Sequence, residues 1–237
     1  DAVVLCARGI LCPLLNRALG VGLESPANER LLDRILELGR RAPGKFLIHL
    51  VPTARPRELP DLLADRGLYP RGSWDRLYRD AAPLPDARQD GSPEESEAPQ
   101  RAEAVGGDAA EEWAGFVCQT HELPCSKPCL RELVGRPGWH HFVVRTAGAI
   151  SAARSMFVQR GGIAWLGLDA STSRSAAPGF DEDRELCRAL VERGRQDGAQ
   201  GFVAEIQAAK SSADSPPYER FSQLGFARAY RRTNFAR

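Results

Sequence analysis

Tyr218-Glu219-Arg220-Phe221-Ser222-Gln223-Leu224-Gly225-Phe226 lies inside the stretch that decides the fold, Asp183 to Phe235. Leu186, Cys187, Leu190, Val191 and Gly194 fall at i, i+1, i+4, i+5 and i+8 and so share one face of a helix. Asp181, Glu182 and Asp183 suit its N-terminus, and Gly198 stands where such a helix stops. Gly201-Phe-Val-Ala-Glu-Ile206 then reads as a buried strand, and a second helix and a closing strand follow. The stretch is half of an α/β layer.

The same order recurs earlier in the chain. Val3 to Cys6 and pieces of Leu14 to Leu23 read as strands. Leu31, Leu32, Ile35, Leu36 and Gly39 repeat the helical stripe, with Ser25 as the expected N-cap and Pro26 at the first helical position. Phe46 to Val51 is a continuous apolar strand, Leu59 to Leu63 a short helix closing at Gly67, and Ser73 to Arg79 a last strand. Leu31 matches Leu186 at an offset of 155, Phe46 matches Phe202 at 156, and Gly67 matches Gly225 at 158. Four elements in one order with matching stripes predict an internal duplication. The copies differ in one loop: Gly22 to Leu31 spans nine positions and Gly167 to Leu186 nineteen. Strand-to-helix loops of this kind bind anions at a helix N-terminus, so the second copy is expected to be the functional one.

Between the copies, Ala81 to Ala110 is rich in Pro, Glu, Ser, Ala and Gly and has almost no large apolar residue after Leu84. It cannot offset its ordering entropy and is predicted to be a tether. Nine acids against two arginines give the segment from Asp86 to Glu112 a net charge of −7, leaving +8 elsewhere in a chain whose formal charge is +1. That balance gives no global field for nucleic acid or an anionic membrane. No run of about 18 apolar residues is present, so no membrane span is expected. The chain starts at Asp1 rather than Met, which leaves a removed leader open. Six cysteines without a disulfide-framework spacing favour a reducing, cytoplasmic setting.

In the second half, Trp113, Phe116 and Val117 mark a helix and Cys129 to Leu133 another. His141 to Arg145, Ala149 to Gln159 and Ile163 to Asp169 are three consecutive strands separated by glycine turns. Cys118, His121, Cys125 and Cys129 have the residue types of a zinc site, but Pro124 and Pro128 scatter them and no second ligand pair follows. Core thiols and a loop histidine are the plainer account, and no metal is expected. His140 and His141 open a strand, so their rings point to opposite faces and do not chelate together.

This order, with Gly162-Ile-Ala-Trp-Leu-Gly-Leu-Asp169, the helix ending at Asp197-Gly198-Ala199 and the Tyr218 to Phe226 segment, resembles the GNAT superfamily of N-acetyltransferases. The resemblance implies an α/β fold built on an α+β mixed sheet, as tandem GNAT-like acyl-CoA N-acyltransferase domains. Residues 1–80 would be a degenerate or incomplete copy, 81–108 an acidic flexible linker, and 109–237 the acetyltransferase domain. In such domains acetyl-CoA lies where two parallel strands splay apart, so Leu166, Gly167 and Leu168 are the implied pantetheine and thioester contacts. Arg174, Gly179 and Phe180 belong to the implied pyrophosphate loop, and Phe221 to the helix beside the thioester.

The chain departs from the family pattern in two places. Asp181, Glu182 and Asp183 face the place where two phosphates would sit, and like charges about 5 Å apart cost a few kcal/mol at an effective dielectric near 20. The family's usual general-acid Tyr is Phe221 here, and its usual Asn is Asp214. Tyr218, one turn before Phe221, and Glu205 are the candidates for moving protons. The implied function is acetyl-CoA-dependent transfer of an acetyl group to an amine of a small molecule or protein. The alternative is a non-catalytic GNAT-like binding or scaffold protein with a decayed cofactor site.

Overall fold

The structure is a computed structural model and describes residues 1–7, 9–84, 101–123, 126–172, 182–209 and 216–237. The chain divides into two compact units, one of Asp1–Arg76, Ile206–Ala213 and Arg228–Arg237, the other of Leu77–Glu205 and Asp214–Ala227. Among the described residues, no helix is long and apolar enough to cross a membrane.

The first unit contains β1 (Val3–Cys6), β2 (Asn16–Leu19), α1 (Glu29–Gly39), β3 (Leu47–Leu50), α2 (Leu59–Ala64) and most of β4 (Tyr69–Asp80). β1 pairs antiparallel with β2, and β2 runs parallel to β3 through Arg17↔Leu47 and Ala18↔Ile48. The closing strand of the chain, β10 (Ala227–Ala236), pairs antiparallel with β3 through Thr233↔Leu50, Asn234↔His49 and Phe235↔Ile48. Even-numbered positions of β3 face the helices. Ile48 and Leu50 join Ala18, Leu32, Ile35, Leu59, Leu63, Leu68 and Phe235 in one core. Each large side chain buried there contributes about 1.5 to 3 kcal/mol.

α1 starts later than the sequence suggests. Asn28, not Ser25, is the cap, and its Oδ1 accepts from the Leu31 N–H at 2.9 Å. The Ala27 N–H is already bonded to the Arg55 carbonyl at 2.8 Å, which holds the preceding residues out of the helix. Asn28 is therefore the first position able to cap.

The second unit contains β5 (Glu103–Ala104), α3 (Ala110–Thr120), α4 (Lys127–Arg131), β6 (Trp139–Thr146), β7 (Ala149–Val158), β8 (Ile163–Ser171), α5 (Glu182–Gln196), most of β9 (Gly201–Gln207) and α6 (Pro216–Gln223). Its strands lie in the order β9-β8-β7-β6-β5. The far end of the stretch expected to be a tether is ordered: Glu103 and Ala104 pair with Val143 and Phe142, and Val105 N–H donates to the His141 carbonyl at 2.9 Å. An edge strand needs only backbone groups, so its polar composition does not prevent pairing. Trp113, Val117, Val143, Ile150 and Ala153 pack one face of this sheet under α3, while Val144, Ala152 and Leu186 pack the other under α5.

The two helix-to-strand corners that look alike in sequence are alike in geometry. Gly67 and Gly225 have φ of 74° and 79°, a left-handed conformation that glycine adopts without a Cβ clash. Leu68 N–H returns to the Leu63 carbonyl at 2.9 Å and Phe226 N–H to the Phe221 carbonyl at 3.0 Å, the same closing bond in both.

Candidate functional site

β8 and β9 run parallel and in register only from Ile163↔Gly201 to Trp165↔Val203, although β8 continues to Ser171 and β9 to Gln207. The reason lies on the other side of β8. Its register with β7 shifts between Ser155↔Gly167 and Ala153↔Ala170, so Leu168 and Asp169 together face Arg154. This is a β-bulge, and such a bulge bends its strand. Leu168 has φ of 51°, a conformation that costs a non-glycine residue about 1 to 3 kcal/mol. His121 donates from Nε2 to the Asp169 carbonyl at 2.6 Å and ties the end of α3 to the same bend. The opening between β8 and β9 therefore begins at Leu166, Gly167 and Leu168, the three residues singled out in the sequence.

The α3 face of this opening is aromatic. Trp139, Phe157 and Trp165 lie in one cross-strand row, with ring centroids 5.1 Å apart for Trp139 and Phe157 and 6.3 Å for Trp139 and Trp165. In the next row His141 bonds to Ser155 Oγ from Nδ1 at 2.7 Å, and Ser155 stands opposite Gly167. The Trp165 indole lies directly over Gly167, where an added Cβ would come within 2.1 Å of the ring. Gly167 is thus fixed by the ring of Trp165. Gly167→Ala is expected to displace the indole, shift the tryptophan emission, and destabilise the protein by about 1 to 3 kcal/mol in chemical denaturation. Unchanged emission would show that the indole does not rest there.

On the α5 face the charges are arranged differently from the sequence expectation. Arg154 is buried and donates to Asp183 Oδ1 from Nε at 2.9 Å and from Nη2 at 2.6 Å. Burial alone would lower the pKa of Arg154, but Asp183, with Cys187 and Asp169, outweighs it and holds the guanidinium charged. Glu182 accepts from Ser151 Oγ at 2.5 Å. Two of the three acids expected to confront phosphate are therefore engaged by side chains of β7, while Asp181 lies outside the described residues. Arg154 was not legible as part of a site because its partner is 29 residues away and the bulge that aims it has no sequence mark.

Phe221 is buried under the same guanidinium, whose Cζ is 5.2 Å from the ring centroid, and packs edge-on to Phe226 at 5.1 Å. Tyr218 is half-buried on the first turn of α6. Glu205 is half-buried on β9, two residues beyond the last register pair with β8. Arg174, Gly179, Phe180 and Asp214 lie outside the described residues. On the outer side of α3, Asp108, Glu111, Glu112 and Phe116 line a shallow depression. Glu111 is paired with Lys127 and Glu112 with Arg145, both at 2.6 Å, so these acids present little unmet charge.

The corresponding opening in the first unit is stitched shut. Beyond Ala18↔Ile48, Arg55 N–H donates to the Gly22 carbonyl at 2.9 Å and the Arg55 carbonyl accepts from Ala27 at 2.8 Å. The Arg55 side chain donates from Nη2 to the carbonyls of Leu23 at 3.3 Å and Glu24 at 3.0 Å. Even one methyl group on Gly22 would lie 2.4 Å from the Arg55 carbonyl oxygen. Among the described residues, these bonds bridge the two loops where the corresponding opening would lie.

No protein-family profile matches the sequence, and no curated protein matches it. Solved structures do. A GCN5-related N-acetyltransferase from Kribbella flavida superposes with a TM-score of 0.65 at 15% identity, over 100% of this chain and 88% of that one. A tandem GNAT protein from the clavulanic acid biosynthesis pathway gives 0.56 at 16%, over 87% and 68%. An acetyltransferase of the GNAT family from Colwellia psychrerythraea gives 0.55 at 12%, over 88% and 71%. The chain has the GNAT acetyltransferase fold.

Proposed function

We propose that this GNAT-fold chain is an acetyl-CoA-dependent N-acetyltransferase with one working site, the wedge between β8 and β9 of the second unit. The reading rests on one observation above all: the parallel pair separates after Trp165↔Val203 because β8 bulges at Leu168 and Asp169. Beyond that point β8 has no register partner on β9 among the described residues. Backbone groups left without a strand partner need other hydrogen bonds, and the amides of a pantetheine chain supply them.

Leu166, Gly167 and Leu168 would hold the pantetheine and thioester. An N–H from this strand would polarise the thioester carbonyl, which needs no special side chain. The two engaged acids of α5 leave its N-terminus less hostile to pyrophosphate than the sequence suggests, and the residues 173–181 that precede it would complete that site. The acceptor is an amine of a small molecule or a protein. It loses a proton as it attacks the carbonyl carbon, and the thiolate that leaves takes one up. Tyr218 and Glu205 are the candidate side chains for these transfers, and positioning alone supplies much of the rate where solvent carries the protons. With a formal charge of +1 giving no global field, nucleic acid is not proposed as a partner, nor a membrane. We place the protein in the cytoplasm on its cysteine usage.

A second reading has its own support. Trp165 covers Gly167 and Phe221 is packed under Arg154, so aromatic rings fill both faces beside the wedge. A non-catalytic binding or scaffold module would be built this way. Titration with acetyl-CoA separates the two, because only the first reading requires the cofactor to bind.

A further inference from the structure

On the α3 face of the second unit's sheet, the helices bury one end and leave the other partly exposed. Trp113, Val117 and Leu130 of α3 and α4 pack with Val143, Ala153 and Ala170 of the strands. Further along the same strands, the row of Trp139, Phe157 and Trp165 is only half-buried. Val203 continues that row on β9 as the register partner of Trp165, and it too is half-buried. Beside them, Ile163 is 37% exposed and Tyr78 41%. Tyr78 belongs to this face, because a Cβ added to Gly201, the partner of Ile163, would come within 2.8 Å of its ring. These side chains all belong to the second unit and form one aromatic and apolar shelf. Contiguous apolar surface of this kind marks a place where a ligand or partner binds.

The position and the shape of the shelf say what covers it. It ends at the wedge: Trp165↔Val203 is the last register pair before β8 and β9 part, and the Trp165 indole lies over Gly167. Anything lying on the shelf therefore ends beside the segment proposed to hold the thioester. Two strand residues span about 6 to 7 Å, a distance that a short carbon chain between a ring and a nitrogen can cover. The planes of Trp139 and Trp165 stand at 84° with centroids 6.3 Å apart, and those of Trp139 and Phe157 at 41° and 5.1 Å. Rings set at such angles present faces and edges together, and a flat aromatic ring gains from both contacts where an alkyl chain gains only area. A second copy of the chain is the weaker occupant, because a stable protein interface takes roughly 20 to 30 residues a side.

We infer that the acceptor is a small amine joined by a short chain to a flat aromatic ring, with the ring on Trp139, Phe157 and Trp165 and the nitrogen at the opening beside Gly167. The inference rests on the acetyltransferase reading and names the substrate class of that site. The nitrogen forms its bond to the carbonyl carbon as the carbon–sulfur bond breaks, and the proton it gives up ends on the CoA thiol. The shelf takes no part in that step. Trp139 and Phe157 set specificity by holding the ring, and they move no proton.

Release of the CoA thiol from acetyl-CoA by the full chain tests this, with 2-phenylethylamine set against butylamine, a primary amine without a ring. The expected kcat/KM is at least about tenfold higher for 2-phenylethylamine, the gain from covering the apolar surface of one ring. Trp139→Leu, which keeps an apolar side chain, is expected to cut that ratio by about fivefold or more, through KM. A side chain that only supported the fold would lower both amines alike and leave the ratio where it was, which overturns the inference. Equal values for the two amines, or no transfer to either, in a chain that binds acetyl-CoA also overturn it, and equal values leave the acetyltransferase reading standing. Failure to bind acetyl-CoA defeats that reading and the inference with it. A dimer in sedimentation that Trp139→Leu dissociates would give the shelf to a second copy and overturn the inference as well. Should Trp139→Leu unfold, Phe157→Leu carries the same comparison of ratios. Should both unfold, the tryptophan emission of the parent chain decides: it must change saturably with 2-phenylethylamine and not with butylamine, and unmoved emission overturns the inference.

Discussion

Asp183→Asn is expected to destabilise the protein by about 3 to 5 kcal/mol, because it strands the charge of Arg154 inside the second unit. Arg154 is 5% exposed, and Asp183 is the carboxylate that receives both of its bonds at 2.9 and 2.6 Å. The reverse change is milder. Arg154→Met fills much of the same volume, and the carboxylate it abandons is 29% exposed and can turn to water. About 1 to 2 kcal/mol is expected there, and the double variant Arg154→Met with Asp183→Asn should recover most of the loss. Urea denaturation of the four proteins measures the cycle. Equal losses in the two single variants would contradict the asymmetry, which follows from burial on one side only.

Acid is the second large lever. His49 and His141 are both buried and neutral, pushed down to about 2 and about 4, in each case first by burial. Arg232, Arg17 and Arg76 add to the shift at His49 and His140 to that at His141, which the Leu133 carbonyl opposes in part. The unfolded chain takes up protons on both rings below its ordinary histidine value near 6.5, while the folded chain does not. The stability is therefore complete above about pH 6.5 and falls as pH drops toward the two folded values. The slope is about 1.4 kcal/mol per pH unit for each ring, or roughly 4 kcal/mol in total between pH 7 and pH 5. Denaturation at these two pH values should show the fall, and His141→Gln should reduce it by about half. A flat profile would mean that both rings reach water in the folded protein.

Local signals carried most of the fold. The stripe from Leu186 to Gly194 and the one from Leu31 to Gly39 lie on α5 and α1, and the glycine corners at Gly67 and Gly225 close both α2 and α6 with the same bond. Periodicity reads well wherever one helix face is buried along its whole length. What the sequence conceals depends on distant partners. β10 pairs with β3 across about 180 residues, and nothing in either strand names the other. Ser25 and Asn28 are equally good caps by type, and the choice falls to the hydrogen bond between Ala27 and Arg55.

The site shows the same division. The segment Leu166-Gly167-Leu168 was singled out by the family resemblance alone, although a glycine inside an apolar strand also marks a close approach. The close approach proved to be made by Trp165, two residues earlier on the same face. The bulge itself gave no signal, since its left-handed residue is Leu168 and not a glycine. The three acids before α5 looked like a barrier to phosphate because charge is visible in sequence and direction is not. Ser151 and Arg154 turn two of them inward.

On the proposed function, the second unit's wedge takes acetyl-CoA and the first unit's does not. Isothermal titration of the full chain with acetyl-CoA tests it most directly. One equivalent per chain is predicted, with saturation below about 1 mM, the upper end of ordinary enzyme affinities. No binding at that concentration would contradict the claim in favour of a scaffold, and two equivalents would contradict the closure of the first unit by Gly22, Ala27 and Arg55.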